Sequence, residues 1–333
     1  MNASMTDANR FRRPPGSAAV ACVDVGGTKV AVSMADEQGL RAQVVEPTAK
    51  SGPNSALADQ LLRMVDQSAT KAGLARSSVS AVGVSSCGPF ILNGGLLELA
   101  APNICGGLAG PARGLPNDWR SALLEAPLRQ AFAQVRVEND GIGALEAERR
   151  WGALNVDGQP LAHCAFVTWS TGIGMGLCVD GNVLRGKNGN AGHGGHMFVT
   201  DNDDALCGCG NVGDLEALVA GNAIARRFGA AGFADAAALL SAAKAPHPKA
   251  IAIVDELCRA MGRALYNLMT TLDLQRISLG GSVYWHNRDF LLPRLQQQIA
   301  GKMPALTQGC ELVSAGLGER VGDYAALALV ADL

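Results

Sequence analysis

The sequence predicts an α/β protein of two domains, and three observations lead to that fold class. A chain of 333 residues is long enough to bury two hydrophobic cores. Hydrophobic residues make up 48% of it and charged residues 17%, which is the composition of a compact protein. A strand, a polar turn rich in glycine and a second strand follow one another near residue 20 and again near residue 165. This repetition suggests a duplicated fold whose halves face a central cleft.

The predicted elements follow from apolar, β-branched runs bounded by turn residues and from the helical spacing of apolar positions. The run 18–25 is almost continuously apolar, which indicates a buried strand, and the turn at 36–39 makes the first three strands antiparallel. The predicted strands are 18–25, 29–34, 41–46, 79–85, 135–138, 164–169, 175–179 and 277–279. The predicted helices are 54–73, 141–151, 214–228, 234–243, 249–272 and 322–330.

No low-complexity linker separates the two halves. Residues 1–17 contain arginines and prolines but no apolar stretch, so we expect a disordered tail and not a secretory signal. The first domain is predicted to cover 18–140 and the second 141–319.

Charge and cysteine usage exclude several classes of function. A net charge of -2 with scattered basic residues gives no surface for gripping nucleic acid. No apolar stretch reaches the roughly 18 to 20 residues that a membrane helix needs. The nine cysteines lie mostly inside apolar runs, as in a reduced protein of the cytoplasm. Small, neutral or anionic metabolites are the expected partners.

The turn after the first predicted strand, 24–29, has the residue types of an anion-binding loop. Gly26 and Gly27 let backbone N–H groups come close to a phosphate, Thr28 adds a hydroxyl donor and Lys29 a positive charge. Asp24, at the end of the strand, is placed to hold Mg²⁺ directly or through water. A plain hairpin is the alternative. Because the turn leads into a strand, it is neither a P-loop nor a dinucleotide-binding fingerprint.

The second half repeats this arrangement. Ser170, Thr171 and Gly172 lie in a turn between two predicted strands, so two loops are available to grip the phosphates of one nucleotide. Gly280 and Gly281 follow a third strand and allow close approach of a nucleoside. Each of these three glycine-containing turns is a weak signal alone, but the presence of all three at strand ends favours a nucleotide-binding site.

Asn139 and Asp140 lie between a predicted strand and a predicted helix, where residues that face ligands collect in α/β folds. Either residue would make a good helix N-cap, which is one interpretation. The other is that Asp140 takes the proton from a substrate hydroxyl as that hydroxyl attacks the γ-phosphate of a nucleotide.

Four residues of the second half have the chemistry of zinc ligands. Cys207 lies eleven residues after His196, Cys209 follows it, and Asp214 offers a carboxylate oxygen. Four protein ligands would make such a site structural and not catalytic. Two reduced, exposed cysteines without a metal are the alternative.

Together these motifs resemble the ROK family of repressors and kinases, and within it the sugar kinases related to bacterial glucokinase. The resemblance runs from about residue 18 to the end, and the block of glycine, histidine and cysteine is its most specific part. The matching segments are DVGGTK (24–29), PN (102–103), END (138–140), STGIG (170–174), GHGGH (192–196), CGCGNVGDLE (207–216) and LGGSV (279–283).

The resemblance implies the two-domain actin-like ATPase fold, related to ribonuclease H, with a cleft for nucleotide and sugar between the domains. It implies ATP with Mg²⁺, a structural Zn²⁺, and transfer of the γ-phosphate to a hexose, usually to its 6-hydroxyl. It also implies a homodimer, and a terminal helix within 320–333 that completes the first domain.

The resemblance also implies roles for single residues. Asp140 is the catalytic base, and His196 binds zinc with one ring nitrogen while the other faces the sugar. The implied sugar-binding residues are Asn103, Asn139, Asp140, His193, His196 and Glu216. The implied ATP-binding residues are Asp24, Gly26, Gly27, Thr28, Lys29, Ser170, Thr171, Gly172, Gly280 and Gly281. The implied zinc ligands are His196, Cys207, Cys209 and Asp214.

Two positions depart from the family pattern. Asp214 stands where the family usually has a third zinc cysteine. His193 stands where it usually has a glutamate, so a ring with one donor and one acceptor replaces a group that only accepts. Selectivity near sugar carbons 1 and 2 should therefore differ from that of a strict glucokinase. N-acetylmannosamine, another amino sugar or a cyclitol is the alternative substrate, and polyphosphate in place of ATP also stays open.

Two other functions compete with the kinase. A sugar-responsive repressor of the same family would carry a helix-turn-helix domain of about 60 residues before the first strand, where this sequence has about 17 residues. The third hypothesis is a sugar-binding protein without catalysis, against which Asp140, Thr28 and Thr171 argue.

Overall fold

The structure is a computed structural model that describes residues 12–109, 114–201 and 205–333. The chain divides into two compact units. The first unit contains Met1–Ala147, Arg185–Ala191 and Gly322–Leu333, and the second contains Glu148–Leu184 and Gly192–Val321.

The secondary structure alternates strands and helices along the whole described chain. The strands are β1 (Ala19–Val25), β2 (Lys29–Asp36), β3 (Gly39–Pro47), β4 (Val79–Ser86), β5 (Phe90–Asn93), β6 (Leu96–Leu99), β7 (Ala122–Leu123), β8 (Gln134–Asn139), β9 (Asn155–Val156), β10 (Gln159–Pro160), β11 (Cys164–Trp169), β12 (Ile173–Val179), β13 (Asn182–Val183), β14 (Arg276–Gly280) and β15 (Glu311–Ser314). The helices are α1 (Ala56–Lys71), α2 (Gly106–Ala109), α3 (Glu125–Ala131), α4 (Asp140–Trp151), α5 (Leu215–Val219), α6 (Gly221–Phe228), α7 (Ala236–Lys244), α8 (Pro248–Leu272), α9 (Ser282–Trp285), α10 (Arg288–Ile299), α11 (Pro304–Thr307) and α12 (Val321–Val330).

The first unit is built on a five-stranded sheet in the order β3-β2-β1-β4-β8. β1, β2 and β3 are antiparallel, as the sequence predicts, and β4 and β8 run parallel to β1. Val25, Ser86 and Asn139 lie side by side in the register of the three parallel strands. The carboxyl ends of β1, β4 and β8 therefore meet at one edge of the sheet.

The second unit has a five-stranded sheet in the order β13-β12-β11-β14-β15. β11, β12 and β13 are antiparallel, and β14 and β15 run parallel to β11. This order and these directions repeat those of the first sheet, which confirms the repeated strand, glycine turn and strand pattern of the sequence. The long helix α8 provides many buried residues of this unit's core, among them Val254, Leu257 and Leu265.

The terminal helix α12 packs within the first unit, and seven of its residues, from Tyr324 to Val330, are buried. Arg136 donates to the carbonyl of Leu329 at 2.9 Å. Arg13 donates to the carbonyls of Val330 and Leu333, each at 3.2 Å, and is itself buried. The prediction of a disordered tail up to residue 17 is therefore wrong for Arg13, because its guanidinium donates to backbone carbonyls at the end of the chain. Residues 1–11 lie outside the described part.

The single helix predicted at 214–228 is instead two helices, α5 and α6. Ala220 between them has an extended ψ of 151°. Gly221 follows it and donates its N–H to the carbonyl of Ser170 at 2.8 Å. Tertiary contact with the second glycine turn thus interrupts a stretch whose sequence would support one helix.

The small sheet of β5, β6 and β7 and the helices α3 and α10 are absent from the sequence prediction. Two- to four-residue strands are too short to show an alternating pattern. Within the described residues, no helix is both long and apolar enough to cross a bilayer.

Candidate active site

The carboxyl edge of the first sheet brings Asp24 and Asp140 together. Asp24 is the second-last residue of β1, and Asp140 begins α4 directly after β8. Burial raises the pKa of Asp24 from 3.8 to about 7, and the nearby carboxylates of Asp140 and Asp323 add to this while Lys29 opposes it. A cation bound beside Asp24 would stabilise the ionised form of this carboxyl group, which suits its predicted role in holding Mg²⁺.

The first glycine turn is held in place by residues outside it. Gly26 donates to the carbonyl of Lys29 at 2.9 Å, and Thr48 bonds through its hydroxyl to the carbonyl of Gly26 at 2.7 Å. A Cβ on Gly27 would lie 2.0 Å from Nδ2 of Asn103, so the amide of Asn103 fits there only because residue 27 is glycine. The turn and Asn103, one expected to bind phosphate and the other sugar, are therefore neighbours. Thr48 gave no sequence signal.

Asn139 and Asp140 differ in exposure although they are adjacent. Asn139 is 4% exposed, and its Oδ1 accepts from the N–H of Gly141 at 3.0 Å. Asp140 is exposed, and its Oδ1 accepts from the same N–H at 2.8 Å. Both side chains thus contact the first turn of α4, as in the capping interpretation. The exposed carboxylate of Asp140 is nevertheless accessible to a substrate hydroxyl.

The second half of α4 is anchored by Glu148, a residue that no sequence motif marks. Glu148 is fully buried. Its carboxylate accepts from the N–H groups of Ala153, Gly316 and Leu317 at 2.8 to 2.9 Å. A polar group at 0% exposure needs such hydrogen-bond partners. The helix that begins with Asp140 is therefore fixed at its far end.

The second glycine turn is supported by Glu216 of α5. Its Oε2 accepts from the N–H of Ile173 at 3.0 Å. The turn closes on itself through the N–H of Ser170 and the carbonyl of Gly172 at 3.1 Å. Oγ of Ser170 also lies 3.1 Å from Oγ of Ser282, a residue that the sequence analysis did not single out. Glu216 thus touches the expected phosphate loop, while the sugar contact expected of it stays a prediction.

Gly281 needs to be glycine for two reasons. Its φ is +88°, a region that other residues rarely adopt. A Cβ there would also lie 2.5 Å from the carbonyl oxygen of Trp169 and 2.6 Å from Oγ1 of Thr168. The close packing of Gly281 on the end of β11 places it beside the second glycine turn.

The four predicted zinc ligands, His196, Cys207, Cys209 and Asp214, form one cluster, in which the ligand atoms all lie within 4.8 Å of one another. Nδ1 of His196 is 3.0 Å from Oδ2 of Asp214, 3.5 Å from Sγ of Cys209 and 3.8 Å from Sγ of Cys207. Ordinary zinc–ligand bonds in a tetrahedron place nitrogen, oxygen and sulfur atoms about 3.3 to 3.8 Å apart. The distances from Nδ1 are close to this range, so the donor set fits Zn²⁺, and Nδ1 is the nitrogen of His196 that would bind it.

Asp214 has two roles in this cluster. Its Oδ1 caps α5 by accepting from the N–H of Ala217 at 2.7 Å, which leaves Oδ2 for the cluster. Burial would raise its pKa, but hydrogen bonds from His196 and from Ala217 outweigh that and lower it. A cysteine could not cap the helix in the same way, so the change from the family pattern has a structural consequence.

His193 lies beside the cluster. The rings of His193 and His196 are 6.4 Å apart with an interplanar angle of 23°. His196 belongs to a short 3₁₀ turn, Gly194–His196, whose final N–H is accepted by the carbonyl of His193 at 3.1 Å. Because Nδ1 of His196 points to the cluster, its Nε2 is on the opposite side of the ring.

Comparison with known proteins places the chain in a family. The ROK family profile matches residues 20–332. N-acetylmannosamine kinase from Salmonella newport is 32% identical over 269 residues, covering 78% of this chain and 82% of that protein. The crystal structure of a ROK hexokinase from Thermus thermophilus is 30% identical with a TM-score of 0.72, covering 94% of this chain and 98% of the other.

A ROK family glucokinase from Streptomyces griseus, solved in complex with glucose and AMPPNP, is 25% identical with a TM-score of 0.68. The match covers 92% of this chain and 97% of that one. The predicted actin-like ATPase fold is thereby confirmed. Since the profile and these structures extend over nearly the whole length, the chain belongs to the ROK family.

Proposed function

We propose that this protein is an ATP-dependent sugar kinase in which Asp140 is the catalytic base. Relatives named as hexokinase, glucokinase and N-acetylmannosamine kinase support the kinase activity. The observation that carries the assignment of Asp140 is its position at the carboxyl edge of the first sheet. There it is exposed, next to Asp24 and to a glycine turn suited to phosphate.

In the proposed reaction, Asp140 accepts the proton of a sugar hydroxyl. The hydroxyl oxygen bonds to the γ-phosphorus of ATP, the bond from that phosphorus to the β–γ bridging oxygen breaks, and ADP leaves. Gly26, Thr28 and Lys29 bind phosphate oxygens, as do Ser170, Thr171 and Gly172. Asp24 is the residue that would hold Mg²⁺, which neutralises charge on those oxygens.

We also propose that His196, Cys207, Cys209 and Asp214 hold a structural Zn²⁺. The spacing of their ligand atoms and the full burial of Asp214 support this. The ion would fix the ring of His196 and supply no chemistry to phosphoryl transfer. Nε2 of His196 is then available to a sugar hydroxyl, with His193 beside it.

The expected acceptor is the 6-hydroxyl of a hexose, with an amino sugar or a cyclitol as the alternative. The imidazole of His193 supports the alternative, because it can donate as well as accept where the family's glutamate only accepts. We propose a homodimer on the resemblance to the family. Light scattering on the purified protein tests it.

The kinase proposal is tested by ADP release from purified protein with ATP and Mg²⁺. The panel contains glucose, mannose, N-acetylglucosamine, N-acetylmannosamine and a cyclitol. ADP should rise above background with at least one of them, and no rise with any would refute the kinase function.

Asp140→Asn should lower kcat by roughly 10² to 10⁴ while nucleotide binding stays intact. Asp289→Asn is the matched control, because the Asp289 side chain is 96% exposed and lies on α10 of the second unit. Near wild-type turnover in the Asp140→Asn variant would show that Asp140 is not the catalytic base.

A further inference from the structure

We infer that Arg185–Ala191 is a strap that positions the sugar-binding histidines and the catalytic base, with Asn190 and Arg185 as its anchoring residues. The inference rests on the sugar kinase function proposed above. The strap lies between β13 and His193 in the chain. By its contacts it belongs to the first unit, although the residues before and after it, up to Leu184 and from Gly192, belong to the second.

Asn190 anchors the end of the strap nearest the histidines. The N–H of Phe90 donates to its Oδ1 at 2.7 Å, and its Nδ2 donates to the carbonyl of Phe90 at 2.7 Å. Phe90 begins β5 and is 1% exposed. The amide side chain thus satisfies both backbone groups of a buried residue, as a neighbouring strand would.

Arg185 anchors the other end of the strap beside Asp140. Its Nε donates to Oε1 of Glu138, and its Nη2 lies 3.7 Å from Oε1 of Glu146. Glu138 is on β8 and Glu146 is on α4, so one guanidinium connects the strand before Asp140 with the helix that begins at Asp140. Burial raises the pKa of Glu138, and the charge of Arg185 opposes this.

The two anchors are coupled, because the strap closes on itself. The N–H of Ala191 donates to the carbonyl of Arg185 at 3.0 Å. His193 is three residues beyond Asn190, so its Cα lies within about 11 Å of the anchored Cα of Asn190. A shift of Asn190 therefore reaches Gly192, whose carbonyl accepts from the N–H of Met175 at 3.0 Å, before it reaches His193.

The two anchors act on different parts of the reaction, which makes them separable by kinetics. Loss of the Asn190 bonds detaches the start of the histidine loop from Phe90 and leaves it the hydrogen bond between Gly192 and Met175, so sugar binding should weaken. Loss of the Arg185 bonds loosens the strand and helix that flank Asp140, so turnover should fall. Neither residue is expected to touch the nucleotide.

For Asn190→Ala we expect the KM for sugar to rise about tenfold, with kcat and the KM for ATP within about twofold of wild type. Asn190→Asp keeps an acceptor for the N–H of Phe90 but sets a carboxylate oxygen against the carbonyl oxygen of Phe90, so its sugar KM should rise at least as much as in Asn190→Ala. Asn93→Ala is the matched control. Asn93 ends β5, and its Nδ2 donates to Oε1 of Glu98 at 2.8 Å, a residue of β6 and not of the strap.

For Arg185→Ala we expect kcat to fall about tenfold, with the KM for sugar within about twofold of wild type. Arg185→Lys keeps the positive charge but not the several N–H donors of the planar guanidinium, so its kcat should lie between those of Arg185→Ala and wild type. The control is Arg129→Ala, which removes an arginine paired with Glu125 on α3 of the same unit.

The outcomes separate this inference from the kinase function. A wild-type protein without sugar-dependent ADP release refutes the kinase proposal. An active wild type whose Asn190→Ala and Arg185→Ala variants keep both kinetic constants within about twofold refutes the strap. Equal changes in the KM values for sugar and ATP, together with a lowered melting temperature, also refute it, because they indicate a general loss of structure.

Discussion

Replacing Asp24 with asparagine should make the protein more stable at pH 8 while removing most of its activity. In the folded protein the pKa of Asp24 is raised from 3.8 to about 7, first by burial and then by the charges of Asp140 and Asp323. Ionising this carboxyl group therefore costs free energy in the folded state that it does not cost in the unfolded chain. Asparagine has nearly the same shape and no charge.

The size and pH dependence of this effect follow from the two pKa values. The difference between 3.8 and about 7 corresponds to about 4 kcal/mol at full burial. The side chain keeps some exposure, so about 2 kcal/mol is a realistic expectation. Between pH 4 and pH 7 the folded protein binds more protons than the unfolded chain. The free energy of unfolding of the wild type therefore falls as pH rises through this window and levels off above it.

The assay is calorimetric unfolding of wild type and Asp24→Asn at pH 5 and pH 8, without nucleotide or Mg²⁺. At pH 8 the variant should melt about 3 °C higher, and the difference should shrink at pH 5. Adding Mg²⁺ and a non-hydrolysable ATP analogue should stabilise the wild type more than the variant. Asp289→Asn should show no such pattern. A variant less stable than the wild type at pH 8, or a difference independent of pH, would refute the reasoning.

Two further predictions concern the second unit. By metal analysis, Asp214→Ala should bind about one zinc fewer per chain than the wild type, and it should also lose the cap of α5. The control is Asp235→Ala, which removes an equivalent cap on α7. It should lower the free energy of unfolding by only about 1 kcal/mol and leave the metal content unchanged. Retained zinc in the first variant would remove Asp214 from the ligand set. Gly281→Ala should weaken nucleotide binding at least tenfold in a titration and destabilise the protein by about 2 kcal/mol or more, because a Cβ would clash with Trp169. Gly232 has a similar φ of +98° but open space around it, so Gly232→Ala should lower the free energy of unfolding by only about 1 kcal/mol. Equal destabilisation by the two substitutions would contradict the role of the clash at Gly281.

Much of the fold was predictable because its signals are local. β11 was predicted at the residues where it occurs, 164–169, since a buried strand between turn residues is defined by its own apolar run. The antiparallel start of each sheet followed from two tight turns. The break between α5 and α6 was not predictable, because it results from a hydrogen bond between Gly221 and the distant Ser170.

The candidate site divides in the same way. The chemistry of Asp24, Asp140 and the four candidate zinc ligands was visible in the sequence, since residue type and spacing limit which ligands each can bind. The sequence left open whether Asp140 is a cap or a base. The structure shows that its carboxylate contacts the first turn of α4 and is also exposed, because β8 delivers it to the edge of the sheet.

The sequence by itself determined the fold class, the glycine turns and the identity of the four candidate zinc ligands. Only the tertiary structure decided the raised pKa of Asp24, the double role of Asp214 and the contacts of Asn190 with Phe90. Each of these depends on groups far apart in the chain, such as Phe90 and Asn190, which are 100 residues apart. Local sequence patterns cannot predict such pairs, because the interaction energy between the two groups arises only once folding has brought them together and removed them from water.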